Sequence, residues 1–213
     1  LGGCTMVERA IVLPPEANPD AVKAVMAEVA DWQLTHPSQF HPAAWHHAAF
    51  YAGLSAWAQM ADSDSYYESL LAIGDRINWQ PHHRIYHADD HCVGPMYIEM
   101  YQRYKTPVMI EGIQQRFDYI LANPSPVSLE FGRKYDESGL NHLDRWNWCD
   151  ALFMAPPVWA KLARITGDGR YLEFMNREWW LTTEYLYDND EHLYYRDDRF
   201  FTQREANGEK IFW

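Results

Sequence analysis

The strongest constraint on this chain is a helical hydrophobic period that returns in hairpin-sized blocks. Over Asn18–His36, Ala21, Val22, Val25, Met26, Val29 and Trp32 fall three or four apart, after Pro19 at a first-turn position. The period returns over Ala43–Ala61 with Trp45, Ala49, Ala52, Ala56 and Met60, and again after Asp64 with Tyr67, Leu70, Leu71, Ile73 and Ile77. Asp64 is placed to cap that third helix. Two further helices are expected over Asp89–Lys105 and from Pro107 to about Ala122, and two more over Trp148–Thr166 and Asp168–Leu186. Between them, Asn123–Arg145 is polar and carries Pro124, Pro126, Gly132 and Gly139. A connection that long is usually functional or disordered. Leu193–Phe200 alternates Tyr, Arg and Asp and reads as a loop or short strand.

The blocks resemble one another. "GLSAWAQMADSDSYYESL" and "APPVWAKLARITGDGRYLEF" share an apolar helix with Trp-Ala (Trp57-Ala58, Trp159-Ala160), an Asp-containing turn and a Tyr-led helix. "IEMYQRYKTPVMIEGIQQRF", with Tyr101, is a looser copy. Such self-similarity marks stacked helical hairpins. An open α-solenoid and a closed α/α toroid both fit. Solenoids hold a stricter period and polar caps. The irregular period and the aromatic content, 10 Trp, 14 Tyr and 9 Phe in 213 residues, favour an all-α toroid. Amphipathic rings also stack on flat apolar faces, including those of sugars.

With 47% hydrophobic and 23% charged residues, the chain has the makeup of a globular domain rather than a disordered one. No apolar run reaches the ~20 residues of a membrane helix. A net charge of −12 without a Lys/Arg block makes nucleic acid and anionic lipid poor partners. Cys4, Cys92 and Cys149 form no CxxC pair, so a zinc knuckle or redox dithiol is not indicated. No nucleophile elbow, GxGxxG or P-loop occurs, and no cofactor is expected. Leu1-Gly2-Gly3-Cys4 looks like a bacterial lipobox with Cys4 as the lipidated residue; a chance tetrapeptide is the alternative. Residues 1–17 are read as an N-terminal tail, with a periplasmic or outer-membrane lipoprotein expected and a cytoplasmic location as the alternative. The apolar Ile211-Phe212-Trp213 follows a turn-like Asn207-Gly208. It gives the expectation that 18–213 is a toroid lacking its C-terminal part.

Three polar clusters begin what would be the first helix of a hairpin: Trp45-His46-His47, Asp89-Asp90-His91, and Trp146-Asn147-Trp148-Cys149-Asp150. In a toroid these starts share one rim, so the clusters would converge on one cavity. Asp89 also fits a helix N-cap. Asp150 lies beside the run Ala151-Leu152-Phe153-Met154-Ala155-Pro156, where a carboxyl needs a partner or a raised pKa. A carboxylic acid that keeps its proton near neutrality can act as a general acid. A buried structural hydrogen bond is the bland alternative. His83, His87 and His91 fall at i, i+4 and i+8, but Pro81 and an Asp89 cap argue against one helix through all three, so no metal is expected.

"RIYHADDHCVGPMYIEMY", "WNWCDALFMAPPVWAKLARITGD", "LYYRDDRF" and the terminal "GEKIFW" together resemble glycoside hydrolase family 105, the unsaturated rhamnogalacturonyl hydrolases, related to the unsaturated glucuronyl hydrolases of family 88. The resemblance covers about Trp45 to Trp213. It implies an (α/α)6 toroid, of which this chain would hold about two-thirds. The implied substrate is a lyase-generated oligosaccharide with a C4=C5 unsaturated uronic acid at its non-reducing end. The implied chemistry is hydration of a vinyl ether rather than displacement between two carboxylates. Asp150 matches the family's general acid/base and Trp148 its aromatic neighbour. Asp90 best matches the second active-site carboxylate, with Asp89 as the fallback. Trp45, His47, Asp89, His91, Arg196 and Trp213 are the remaining expected substrate contacts. His47 stands where relatives have Asn, and Arg196 where rhamnogalacturonan enzymes often have His. Both would bring cations to an anionic sugar and leave rhamnogalacturonan, ulvan and arabinogalactan fragments open. A sugar 2-epimerase using His47 and His91, and a peptide-binding α-solenoid scaffold, are the alternative readings.

Overall fold

The computed structural model describes residues 18–132 and 139–213. The tail 1–17, with the lipidation reading of Cys4, lies outside the described residues, as does 133–138. The chain divides into two units, Leu1–Pro37 and Ser38–Trp213. The first contains helix α1, Pro19–Thr35, capped by Asn18, whose side chain accepts the Asp20 N–H at 2.9 Å. Pro19 takes the first helical position, where a missing N–H costs nothing.

The second unit is a row of helical hairpins. Helices α2 (Trp45–Ala61) and α3 (Asp64–Arg76) form the first pair, α5 (Gly94–Tyr104) and α6 (Val108–Ala122) the second, and α8 (Pro156–Thr166) and α9 (Gly169–Leu186) the third. The leading helices touch in sequence, α2 on α5 and α5 on α8, while α6 meets α9 behind them. The Trp-Ala repeats therefore fall on equivalent helices. One-turn helices α4 (Ala88–His91) and α7 (Ala151–Met154) precede α5 and α8 and pack on each other. A two-residue hairpin follows, with β1 (Tyr187–Asp188) antiparallel to β2 (Leu193–Tyr194).

Two expected helices are broken, and prolines explain both. Pro95 and Pro156 sit in the first turns of α5 and α8 and cannot donate to the preceding turn. Gly94 opens α5 because a Cβ there would overlap Val158 Cγ2 of α8 and lie 3.1 Å from Ile113 Cδ1 of α6. Asp64 does not cap α3: Ser63 holds the cap position, and Asp64 pairs instead with Arg103 at 2.7 Å. The core centres on fully buried Trp159, stacked 3.8 Å from Phe117 and 4.3 Å from Phe174, so one ring ties α8 to α6 and α9.

Candidate active site

The site is assembled at the two one-turn helices. His87 caps α4 with its own ring, as Nδ1 accepts the Asp89 N–H at 3.3 Å. Asp89 is thus in the first turn and is not the cap. Adjacent helical residues diverge by about 100°, so Asp89 and Asp90 face different surroundings.

Asp90 is fully buried and turned into the loop before α4. Its Oδ1 accepts from Arg84 Nη2 at 2.6 Å, its Oδ2 accepts the Arg84 backbone N–H at 2.7 Å, and His82 Nδ1 lies 3.2 Å from Oδ2. Burial alone would raise this carboxyl, but Arg84's hydrogen bonds and charge outweigh it and hold Asp90 below the usual carboxylate range. Sequence reasoning favours Asp90 as the second active-site carboxylate; the structure binds its oxygens to Arg84 and places Asp89, the fallback, beside Asp150.

Asp89 and Asp150 line one small cleft with His87, Arg145, Asn147 and Trp148. Asp89 is pushed up to about 6, first by burial and then by the Asp150 charge, with Arg84 opposing from 3.8 Å. Asp150 is also raised by burial, while its own backbone N–H, Arg196 and the Ala151 N–H pull it back. Asp150 occupies the cap position of α7 without making a capping bond, and its Oδ1 is buried with no hydrogen-bond partner. The neighbouring Asn147 Nδ2 and Trp148 Nε1 are buried and unpartnered as well. Buried polar atoms left unpaired cost ~1–3 kcal/mol each. Three around one cleft are what a hydroxyl-rich ligand would satisfy.

Chain segments far apart in sequence are laced together by backbone bonds. The Cys149 N–H donates to the Arg196 carbonyl at 2.9 Å, and the Arg196 N–H donates to the Phe212 carbonyl at 2.8 Å. This sets the Arg196 guanidinium 4.5 Å from the Trp148 ring and 5.3 Å from the ring of Trp213, itself an exposed residue. Arg196 is braced by Asp197 at 3.4 Å. Thr182 of α9 donates to the Trp146 carbonyl at 2.7 Å and fixes the segment leading to Asp150.

Other expected contacts fall elsewhere. His91 is buried in the core: Nε2 donates to the Ile85 carbonyl at 2.8 Å and Nδ1 accepts from Trp159 Nε1 at 3.4 Å. Burial holds it down to about 3, so the ring is neutral and sits in the core rather than in the cleft. His47 is buried too, with Nε2 3.0 Å from Ser38 Oγ, and stacks on Tyr51. It does not line the cleft. Trp45 stacks on His46 at 4.0 Å and does not line the cleft either. With His91 enclosed, the paired-histidine requirement of the epimerase reading is not met. His87 and Arg145 were not expected. His87, held near 4 mainly by burial and then by Arg84, enters as a neutral ring. Arg145 is anchored by Glu178 at 3.1 Å and the Val127 carbonyl at 2.9 Å. The one available signal was position: His87 stands two residues before Asp89, and Arg145 ends the long connection next to the Trp-Asn-Trp block.

Residues 17–213 match the family model for Glycosyl Hydrolase Family 88. A protein of Alteromonas sp. (strain LOR) named unsaturated 3S-rhamnoglycuronyl hydrolase is 32% identical over 219 residues, covering 94% of this chain and 53% of its own. A Formosa agariphila protein of the same name is 32% identical over 223 residues, covering 99% of this chain and 58% of its own. The chain thus spans little more than half the length of the curated relatives it matches. Among solved structures, a glycosyl hydrolase family 88 protein from Bacteroides vulgatus superposes with a TM-score of 0.67 at 20% identity, over 90% of this chain and 56% of that one. That likeness shows the fold, the helical-hairpin α/α toroid.

Proposed function

This chain belongs to glycosyl hydrolase family 88, and from that membership we propose that its protein removes a C4=C5 unsaturated uronic acid from the non-reducing end of a lyase-generated oligosaccharide. The reading rests on one observation: two carboxyls with raised pKa, Asp89 and Asp150, line one cleft beside Trp148. The shared name of the two relatives supports a uronate joined to a rhamnose that carries the 3S modification.

The chemistry follows from the enol ether. Protonated Asp150 gives its proton to C4, and positive charge develops at C5 and the ring oxygen. Water adds to C5, returning a proton to the Asp150 carboxylate. The resulting hemiketal opens at the C5–O bond, C1 becomes a hemiacetal, and its collapse releases the sugar with the glycosidic oxygen attached. Asp89 assists by charge: two carboxyls sharing a small, partly buried cleft resist joint ionisation, so one retains a proton nearer neutral pH than a solvated carboxyl would. Arg196 and Arg145 offset the substrate's carboxylate in a chain of net charge −12. Trp148 offers a ring face for the planar unsaturated sugar.

The test is incubation with an unsaturated uronate–rhamnose disaccharide, sulfated and unsulfated, while the ultraviolet absorbance of the double bond is followed. Bleaching with release of rhamnose supports the reading, and a folded protein that bleaches neither disaccharide overturns it.

A further inference from the structure

A separate histidine cluster lies beside Asp90 and outside the cleft. His82 and His83 are adjacent, and His82 Nε2 stands 3.3 Å from His83 Nδ1. Two nitrogens on one edge of a tetrahedron around a divalent ion, with metal–nitrogen bonds of ~2.0–2.1 Å, lie about 3.3–3.4 Å apart. The spacing is thus already that of a chelate. The other nitrogen of His82 faces a carboxylate: Nδ1 is 3.2 Å from the fully buried Asp90 Oδ2. With its proton on Nδ1, next to that carboxylate, the ring offers the Nε2 lone pair to a ligand. A carboxylate behind a histidine in this way is the usual support of a metal-bound imidazole.

The backbone of this loop is also fixed. Arg116 Nη1 of α6 donates to the His82 carbonyl and, at 3.2 Å, to the Arg84 carbonyl. Arg84 holds Asp90 through both oxygens, which fixes the carboxylate beside His82. His83 is exposed and His82 is partly exposed, which leaves an open approach. His41 packs 4.9 Å from the His82 ring, with its Nδ1 accepting the Ala43 N–H at 3.2 Å.

We propose that His82 Nε2 and His83 Nδ1 bind one divalent first-row transition-metal ion such as Zn²⁺, with Asp90 as the orienting carboxylate and water in the open positions. The ion replaces the proton held between the two rings, and His83 carries its own proton on the solvent-facing Nε2. The proposal is independent of the hydrolase reading, because neither histidine lines the Asp89–Asp150 cleft.

The experiment titrates the tag-free protein with Co²⁺ and reads the visible ligand-field bands of a four-coordinate site, with thermal unfolding in Zn²⁺ as a second readout. One saturable Co²⁺ equivalent and a Zn²⁺-dependent rise in Tm are expected. His83→Ala changes an exposed side chain and is expected to weaken binding tenfold or more and abolish the Tm rise. His192→Ala, a distant surface control, should leave both unchanged. Absence of four-coordinate bands in the wild-type protein, or a His83→Ala variant that binds as tightly as wild type, overturns the proposal.

Discussion

Ionised Asp89 should destabilise this fold, and Asp89→Asn should therefore stabilise it. The cleft raises this carboxyl from 3.8 to about 6. At 1.36 kcal/mol per pH unit, keeping it ionised costs the folded state about 3 kcal/mol. The sign follows from linkage. Below 3.8 the group is protonated folded and unfolded, and the penalty is zero. Between 3.8 and about 6 the unfolded chain releases the proton first, and the penalty grows. Above about 6 it is complete. Asp89→Asn keeps the shape and removes the charge, and the backbone N–H that His87 accepts is untouched. The variant should match wild type near pH 4 and gain about 3 kcal/mol by pH 8. In a chain of this size that is a Tm rise of roughly 6–12 °C. Urea unfolding of both proteins at half-unit steps from pH 4 to 8 measures it. A gain independent of pH, or a loss at pH 8, would refute the claim that Asp89 faces Asp150 across a desolvated cleft.

The same pair sets the pH dependence of turnover. Activity should decline as pH rises through about 6, where the proton shared by the carboxyls is lost; a pH–rate profile still rising at pH 8 would contradict this. Arg196→Gln removes the guanidinium over Trp148, and KM for the uronate substrate should rise about tenfold or more, the loss expected for a charge-assisted bond of ~1.5–3 kcal/mol. Gly94→Ala drives a methyl into Val158 where α5 meets α8 and should cost ~1–3 kcal/mol in denaturant unfolding, with turnover per folded molecule little changed.

Much of the hairpin architecture could be read from the sequence, because amphipathic period and Trp-Ala repeats are local signals. Trp57 and Trp159 do pack between helices, and α9 begins where Asp168 can cap it. What the period could not show was the interruption of two helices. Val93 and Met96 keep the spacing on both sides of the Gly94-Pro95 break, so a run of apolar residues hid the one-turn helix that carries Asp89. The choice between Asp89 and Asp90 was also closed to sequence reasoning. It depends on Arg84, whose side chain and backbone both close on Asp90, a contact made by loop geometry. His47 and His91 looked like ligands by residue type and cluster position, yet the structure buries both away from the cleft, His47 against Ser38 and His91 against the Ile85 carbonyl and Trp159. Arg196 was found through the "LYYRDD" segment, but its seat over Trp148 comes from non-local backbone pairing with Cys149 and Phe212.

The central claim is that Asp150 is the acid that protonates the unsaturated uronate. It is tested most directly by the rate at which Asp150→Asn bleaches an unsaturated uronate–rhamnose disaccharide, measured beside wild type with disaccharide binding checked by calorimetry. Binding should survive while the rate falls by roughly two to four orders of magnitude, the usual worth of a positioned general acid. A variant that binds the disaccharide and bleaches it within tenfold of the wild-type rate would contradict the claim.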